Sequence, residues 1–189
     1  MKKIILIILI YFLQFLNLSS VEPKLEEIIK NLNNPWSLSF LTGEDILITE
    51  KSGSLLKINL INKKINKFTH NLNILEDGQG GLLEVLYKNS KIYVSYTENR
   101  GGGKSSTSVA RASIKKKNLN FKNIFRAEPP INSGYHFGSR LVVKNNYLFI
   151  TVGERGKGMI AQDAQKHPGS IIRINLDGSI PNNNPKFEN

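Results

Sequence analysis

The chain has 189 residues, 40% of them hydrophobic, no cysteine, and 26 lysines and arginines against 15 acidic residues, a net charge of +11. The lack of cysteine excludes disulfides, a lipid-modified N-terminal Cys and thiolate zinc sites, so an apolar core alone must hold the fold. The positive charge is scattered rather than clustered, as in Asn62-Lys63-Lys64-Ile65-Asn66-Lys67, and reads as solvated loops with no nucleic-acid partner.

In chain order, Met1-Lys2-Lys3 is a short basic segment, and residues 4–13 are apolar apart from the phenol of Tyr11. Phe15, Leu16 and Leu18 extend the run, and Ser19-Ser20 offers small residues for cleavage. Residues 1–20 are therefore expected to be a secretory signal peptide. An uncleaved anchor is the alternative, since Leu18 is unfavourable so close to a cut at Ser20. Cleavage implies a periplasmic or secreted protein with no membrane span remaining.

Only residues 25–32 have helical spacing. The remainder reads as strands of 4 to 8 residues, with Gly, Asn and Pro between them. Strands are expected at residues 37–41, 45–50, 55–60, 82–87, 91–97, 108–114, 140–144, 147–152 and 170–175. A hairpin loop is expected around Lys115-Lys116-Lys117 and Asn118-Leu119-Asn120, and Trp36 is assigned to the core.

These strands repeat. Asp45-Ile46-Leu47-Ile48-Thr49-Glu50, Lys91 to Glu98 and Tyr147 to Glu154 occupy equivalent places, and each ends in glutamate. Each is followed by a strand with a basic residue among apolar ones, carrying Lys57, Arg111 and Arg173 in turn. Units of three or four antiparallel strands at this spacing are the pattern of β-propeller blades. Three blades are fewer than the four to eight that close a ring. Residues 21–189 thus read as an all-β, N-terminal half-propeller from a longer protein.

Three glycine-flanked polar segments lie beside strands: Gly78-Gln79-Gly80-Gly81, Gly134-Tyr135-His136-Phe137-Gly138 and Gly153-Glu154-Arg155-Gly156. They are expected to meet at the rim of one site. Histidine titrates near neutral pH, so His136 fits a general base, or else a histidine hydrogen-bonded within its turn. Gln79 fits a cofactor contact or a tight-turn residue. Glu154 fits a carboxylate behind the base or an ion-pair partner of Arg155. Gln162 and Asp163 are assigned to loop backbone groups, and His70 and His167 to the surface. No phosphate-cradling loop, serine nucleophile motif or His pair at zinc spacing is present. No oxygen cluster suited to calcium is visible either, so metal ligands among these residues are expected to be none.

The chain resembles the soluble glucose/sorbosone dehydrogenase family, the PQQ-dependent aldose sugar dehydrogenases. The resemblance rests on Asn34-Pro35-Trp36-Ser37-Leu38-Ser39-Phe40-Leu41, Gly78-Gln79-Gly80-Gly81-Leu82-Leu83 and His136-Phe137-Gly138-Ser139-Arg140-Leu141, in family order. It continues through Gly153-Glu154-Arg155-Gly156 with Ala161-Gln162-Asp163, and through Gly169-Ser170-Ile171-Ile172-Arg173-Ile174-Asn175-Leu176-Asp177-Gly178. It implies a six-bladed propeller that oxidises an aldose at its anomeric carbon and passes electrons to an unidentified acceptor. It implies His136 as catalytic base, Gln79 as PQQ contact, and Glu154 as supporting carboxylate where the family carries aspartate. Calcium ligands are expected beyond residue 189. The alternative is a non-catalytic propeller that binds carbohydrate or a protein partner.

Overall fold

The computed structural model describes residues 22–114 and 117–186. The expected signal peptide lies outside them. Residues 22–30 belong to a unit of their own without regular secondary structure. The helix expected over residues 25–32 does not form: Leu25 is exposed, and eight residues are too few to hold a helix without packing.

From Asn31 onward the chain is built of consecutive antiparallel sheets. The first sheet contains β1 (Pro35–Phe40), β2 (Asp45–Glu50), β3 (Leu55–Asn59) and β4 (Ile65–His70). The middle sheet contains β5 (Leu82–Lys88), β6 (Lys91–Asn99), β7 (Ser105–Ser113) and β9 (Lys122–Arg126). The third contains β10 (Gly138–Lys144), β11 (Tyr147–Val152) and β12 (Ile171–Asn175). β8 (Asn118–Leu119) leaves the middle unit and pairs in parallel with the edge of the first sheet, Thr69 opposite Asn118 and His70 opposite Leu119. The hairpin loop expected there is thus partly a strand, because Leu119 buries itself in the core; Lys115 and Lys116 lie outside the described residues. No α-helix occurs among the described residues.

Two cores separate the sheets. Leu47, Leu55 and Phe68 pack against Leu82, Val85, Ile92, Val94 and Tyr96 between the first and middle sheets. Tyr93, Val109 and Ala127 pack against Leu141, Leu148, Ile150, Val152 and Ile174 between the middle and third. Neighbouring residues of β6 therefore serve opposite cores, because strand side chains alternate between faces. Buried hydroxyls tie sheet to sheet. Thr49 Oγ1 donates to the Leu83 carbonyl at 2.5 Å, Ser95 Oγ to Ser139 at 2.6 Å and Thr107 Oγ1 to Phe137 at 2.7 Å.

Trp36 departs from its expected place in the core. Ser37 and Ser39 point at the middle sheet and accept from the Val85 and Tyr87 amides. Alternation then sends Trp36, Leu38 and Phe40 to the opposite face, where Trp36 is 46% exposed.

Candidate active site

The three glycine-bounded corners converge. Gly78 and Gly134 lie in backbone contact, and a Cβ on Gly78 would overlap the Gly134 carbonyl. Gly153 likewise approaches His136 so closely that a Cβ would overlap its carbonyl. Only glycine permits these approaches. Each corner therefore touches the turn that carries His136.

Backbone and side-chain bonds fix that turn from several directions. Gln79 N–H donates to the Gly134 carbonyl at 2.7 Å, and Gln79 Oε1 accepts from the His136 amide at 2.9 Å. Since Oε1 is committed to an N–H, the Gln79 amide is oriented with its NH2 group left as donor. Arg155 N–H donates to the His136 carbonyl at 3.3 Å, and Gly153 N–H to Phe137 at 3.1 Å. His136 itself has a φ of +50°, a left-handed conformation that is uncommon outside glycine and is held here by these bonds.

The imidazole faces outward, its side chain 54% exposed. Nδ1 lies 2.5 Å from Glu154 Oε1, which also accepts the Gly156 amide at 3.1 Å. The hydrogen bond from His136 holds the Glu154 carboxyl below its usual range, against a smaller opposing effect of desolvation. An ionised carboxylate only accepts, so the hydrogen of this bond sits on Nδ1, and in the neutral ring the lone pair is on Nε2. Glu154 does not pair with Arg155: the arginine side chain turns inward and is 2% exposed.

The equivalent glutamates of the other two units do other work. Glu50 Oε1 accepts the Asn33 amide, while Glu98 takes Ser108, Asn123 and Arg126. The basic residues on the third strands are structural: Lys57 pairs with Asp45 at 2.7 Å, Arg111 donates to the Leu176 carbonyl, and Arg173 binds Asn183 and Asn184. His70 and His167 are more integrated than surface residues. His70 Nε2 sits 2.7 Å from the Gly53 carbonyl, and His167 Nδ1 accepts the Glu128 amide while its ring meets Phe125 edge-on. Asp163 accepts the Gln165 amide and pairs with Lys166, in a loop role. Arg155 was noted only as a possible partner of Glu154, and the residues missed were Ser105 and Thr107. The only signal for them was a hydroxyl run, Ser105-Ser106-Thr107-Ser108, that looks like a loop yet is buried throughout.

Comparison with known proteins bears on this site. The glucose/sorbosone dehydrogenase family model matches residues 32–189. The aldose sugar dehydrogenase YliI of Escherichia coli K12 is 34% identical over 164 residues, spanning 82% of this chain and 44% of that protein. Quinoprotein glucose dehydrogenase B of Acinetobacter calcoaceticus is 26% identical over 195 residues, spanning 85% and 41%. A crystal structure of glucose dehydrogenase superposes with a TM-score of 0.81 at 34% identity, covering 86% of this chain and 50% of that one. The PQQ-bound aldose sugar dehydrogenase of Streptomyces coelicolor superposes at 0.73 with 22% identity, over 86% and 50%. The chain thus spans less than half the length of these curated relatives. The structural neighbours are β-propellers, and the three sheets are successive blades.

Proposed function

This chain belongs to the glucose/sorbosone dehydrogenase family, and on that footing we propose that it carries the catalytic base of a PQQ-dependent aldose sugar dehydrogenase. The observation that supports this most directly is the 2.5 Å contact from His136 Nδ1 to Glu154, which leaves Nε2 free and exposed.

His136 Nε2 takes the proton of the anomeric hydroxyl as the C1–H bond gives up its hydride and C1 becomes the lactone carbonyl. Glu154 holds the ring in the tautomer that can accept this proton, then balances the imidazolium that results. A base so placed contributes about 10²–10⁴ in rate. PQQ, when bound, supplies the two-electron acceptor for the hydride. The donor set fits it: the Gln79 NH2 group is oriented by the bond at its Oε1 and suits quinone or carboxylate oxygens. Glu154 reaches Nδ1 despite a side chain one methylene longer than the family's aspartate. Calcium is different: no group of three or more His, Asp or Glu is gathered for a metal among the described residues.

Residues 1–20 are read as an export signal, which puts the oxidation in the periplasm or outside the cell. Among the described residues no helix is long and apolar enough to cross a membrane. The test uses the protein expressed from its full gene and supplied with PQQ and calcium. Aldose-dependent dye reduction is expected, and His136→Ala should lower kcat by about 10²–10⁴. Absence of dye reduction in the intact protein would favour the non-catalytic, carbohydrate- or protein-binding propeller instead.

A further inference from the structure

We propose that Arg155 is a positioning residue for His136, a buried guanidinium clamp that fixes the backbone of the base while Glu154 aims its ring. The inference rests on the reading of His136 as the base.

The clamp is built from contacts on both sides of His136. Arg155 Nε donates to the Tyr135 carbonyl at 3.0 Å, and Nη2 donates to the Ser133 carbonyl. On the other side, Nη1 donates to the Ser105 carbonyl at 3.0 Å and Nη2 to Ser105 Oγ at 2.9 Å. The guanidinium carbon Cζ lies 3.8 Å from the centre of the ring of Phe137, the residue that follows the base. Its own main-chain N–H holds the His136 carbonyl. One residue thus ties the base-bearing turn to β7 of the middle sheet, from which Thr107 also reaches Phe137.

A charge buried without a carboxylate on it is costly, and packing alone would be served by an apolar side chain. Burial pushes this guanidinium down to about 10, with Asp77 acting in the opposite sense, so it remains charged at neutral pH. The cost is compensated by acceptors on every polar edge, all carbonyls or hydroxyls of segments that must not move relative to each other. Lysine retains the charge but concentrates its donors at one point, and cannot span Tyr135, Ser133 and Ser105 together. The residue also holds a φ of +60°, so both main chain and side chain are committed to this geometry.

The test uses the protein from its full gene, with nitrogen-15 in its histidines, and the Nδ1–H resonance of His136, assigned by its loss in His136→Ala. Arg155→Lys should broaden or remove that resonance. In the PQQ-loaded protein it should lower kcat by about 10–100-fold, as misplacement of a reacting group does. The sugar KM should stay within about two-fold, because the base acts on the transition state. A purely structural arginine would lower the melting temperature and leave the resonance and kcat unchanged, which overturns the inference. If Arg155→Lys does not fold, Ser105→Ala removes a single hydroxyl, and an unchanged resonance and kcat there overturn it equally. A wild-type protein that lacks the resonance also does so. Absence of sugar oxidation in the wild type defeats the proposed function, and the resonance then tests only whether Arg155 holds the His136 turn.

Discussion

Among the described residues the middle sheet is covered on both faces, whereas the third packs against another sheet on one face only. In β6 the run from Ile92 to Glu98 is buried without interruption, and in β7 the run from Ser105 to Ala110 is as well. In β10 burial alternates: Ser139 and Leu141 are buried, Arg140 and Val142 exposed. The doubly covered sheet is the less apolar of the two in sequence, so strand composition does not distinguish a strand packed on two sides from one packed on one. What distinguishes them is the supply of polar partners. The middle sheet buries Ser95, Thr97, Glu98, Ser106, Thr107 and Ser108, and can do so because each has a partner. Ser95 and Thr107 reach the Ser139 and Phe137 carbonyls, Glu98 takes Ser108, Asn123 and Arg126, and Thr97 and Ser106 accept from the Gly81 amide and Arg100.

The comparison is broken most sharply by removing volume from the doubly covered sheet. Ile92→Ala, at a fully buried position, should destabilise by about 2–5 kcal/mol in urea unfolding, because the neighbours on both sides limit collapse of the cavity.

A smaller effect is expected at Glu98. Burial tends to raise its pKa, but the bonds from Arg126 and Ser108 prevail and hold it below the ordinary value. The unfolded state therefore takes up the proton first as pH falls. The stability from this group is complete above the unfolded carboxylate range, about 4.3, and is lost as pH drops through the folded value. Glu98→Gln should cost about 1.5–3 kcal/mol near neutral pH and flatten the acid side of a plot of melting temperature against pH. An unchanged acid limb would show that Arg126 contributes nothing there.

The smallest effect is expected on the open face. Val142 is 50% exposed, and Val142→Thr should change stability by no more than about 0.5 kcal/mol. A several-fold larger loss would mean that a further sheet covers this face, as closure of a propeller ring requires.

Nine strands were legible because their apolar periodicity is local. β4, β8 and β9 were not. β4, Ile65-Asn66-Lys67-Phe68-Thr69-His70, is largely exposed, and its asparagine and lysine resemble loop composition. Such outer strands form because a neighbouring strand offers unpaired backbone groups, which no local pattern records. The site shows the same division. Gln79, His136 and Glu154 stood out through their flanking glycines, whereas Arg155 read as the partner of Glu154. Its acceptors at Ser105, Ser133 and Tyr135 lie up to 50 residues away in the chain.

By itself the sequence determined the all-β class, the blade repeat and the three glycine corners, since alternation and close backbone approach are dictated by neighbouring residues. Tertiary structure alone decided the exposure of Trp36, the separate tasks of Glu50, Glu98 and Glu154, and the inward turn of Arg155. Each of these depends on which groups the folded chain brings against the side chain, and those groups belong to other segments that no local pattern records.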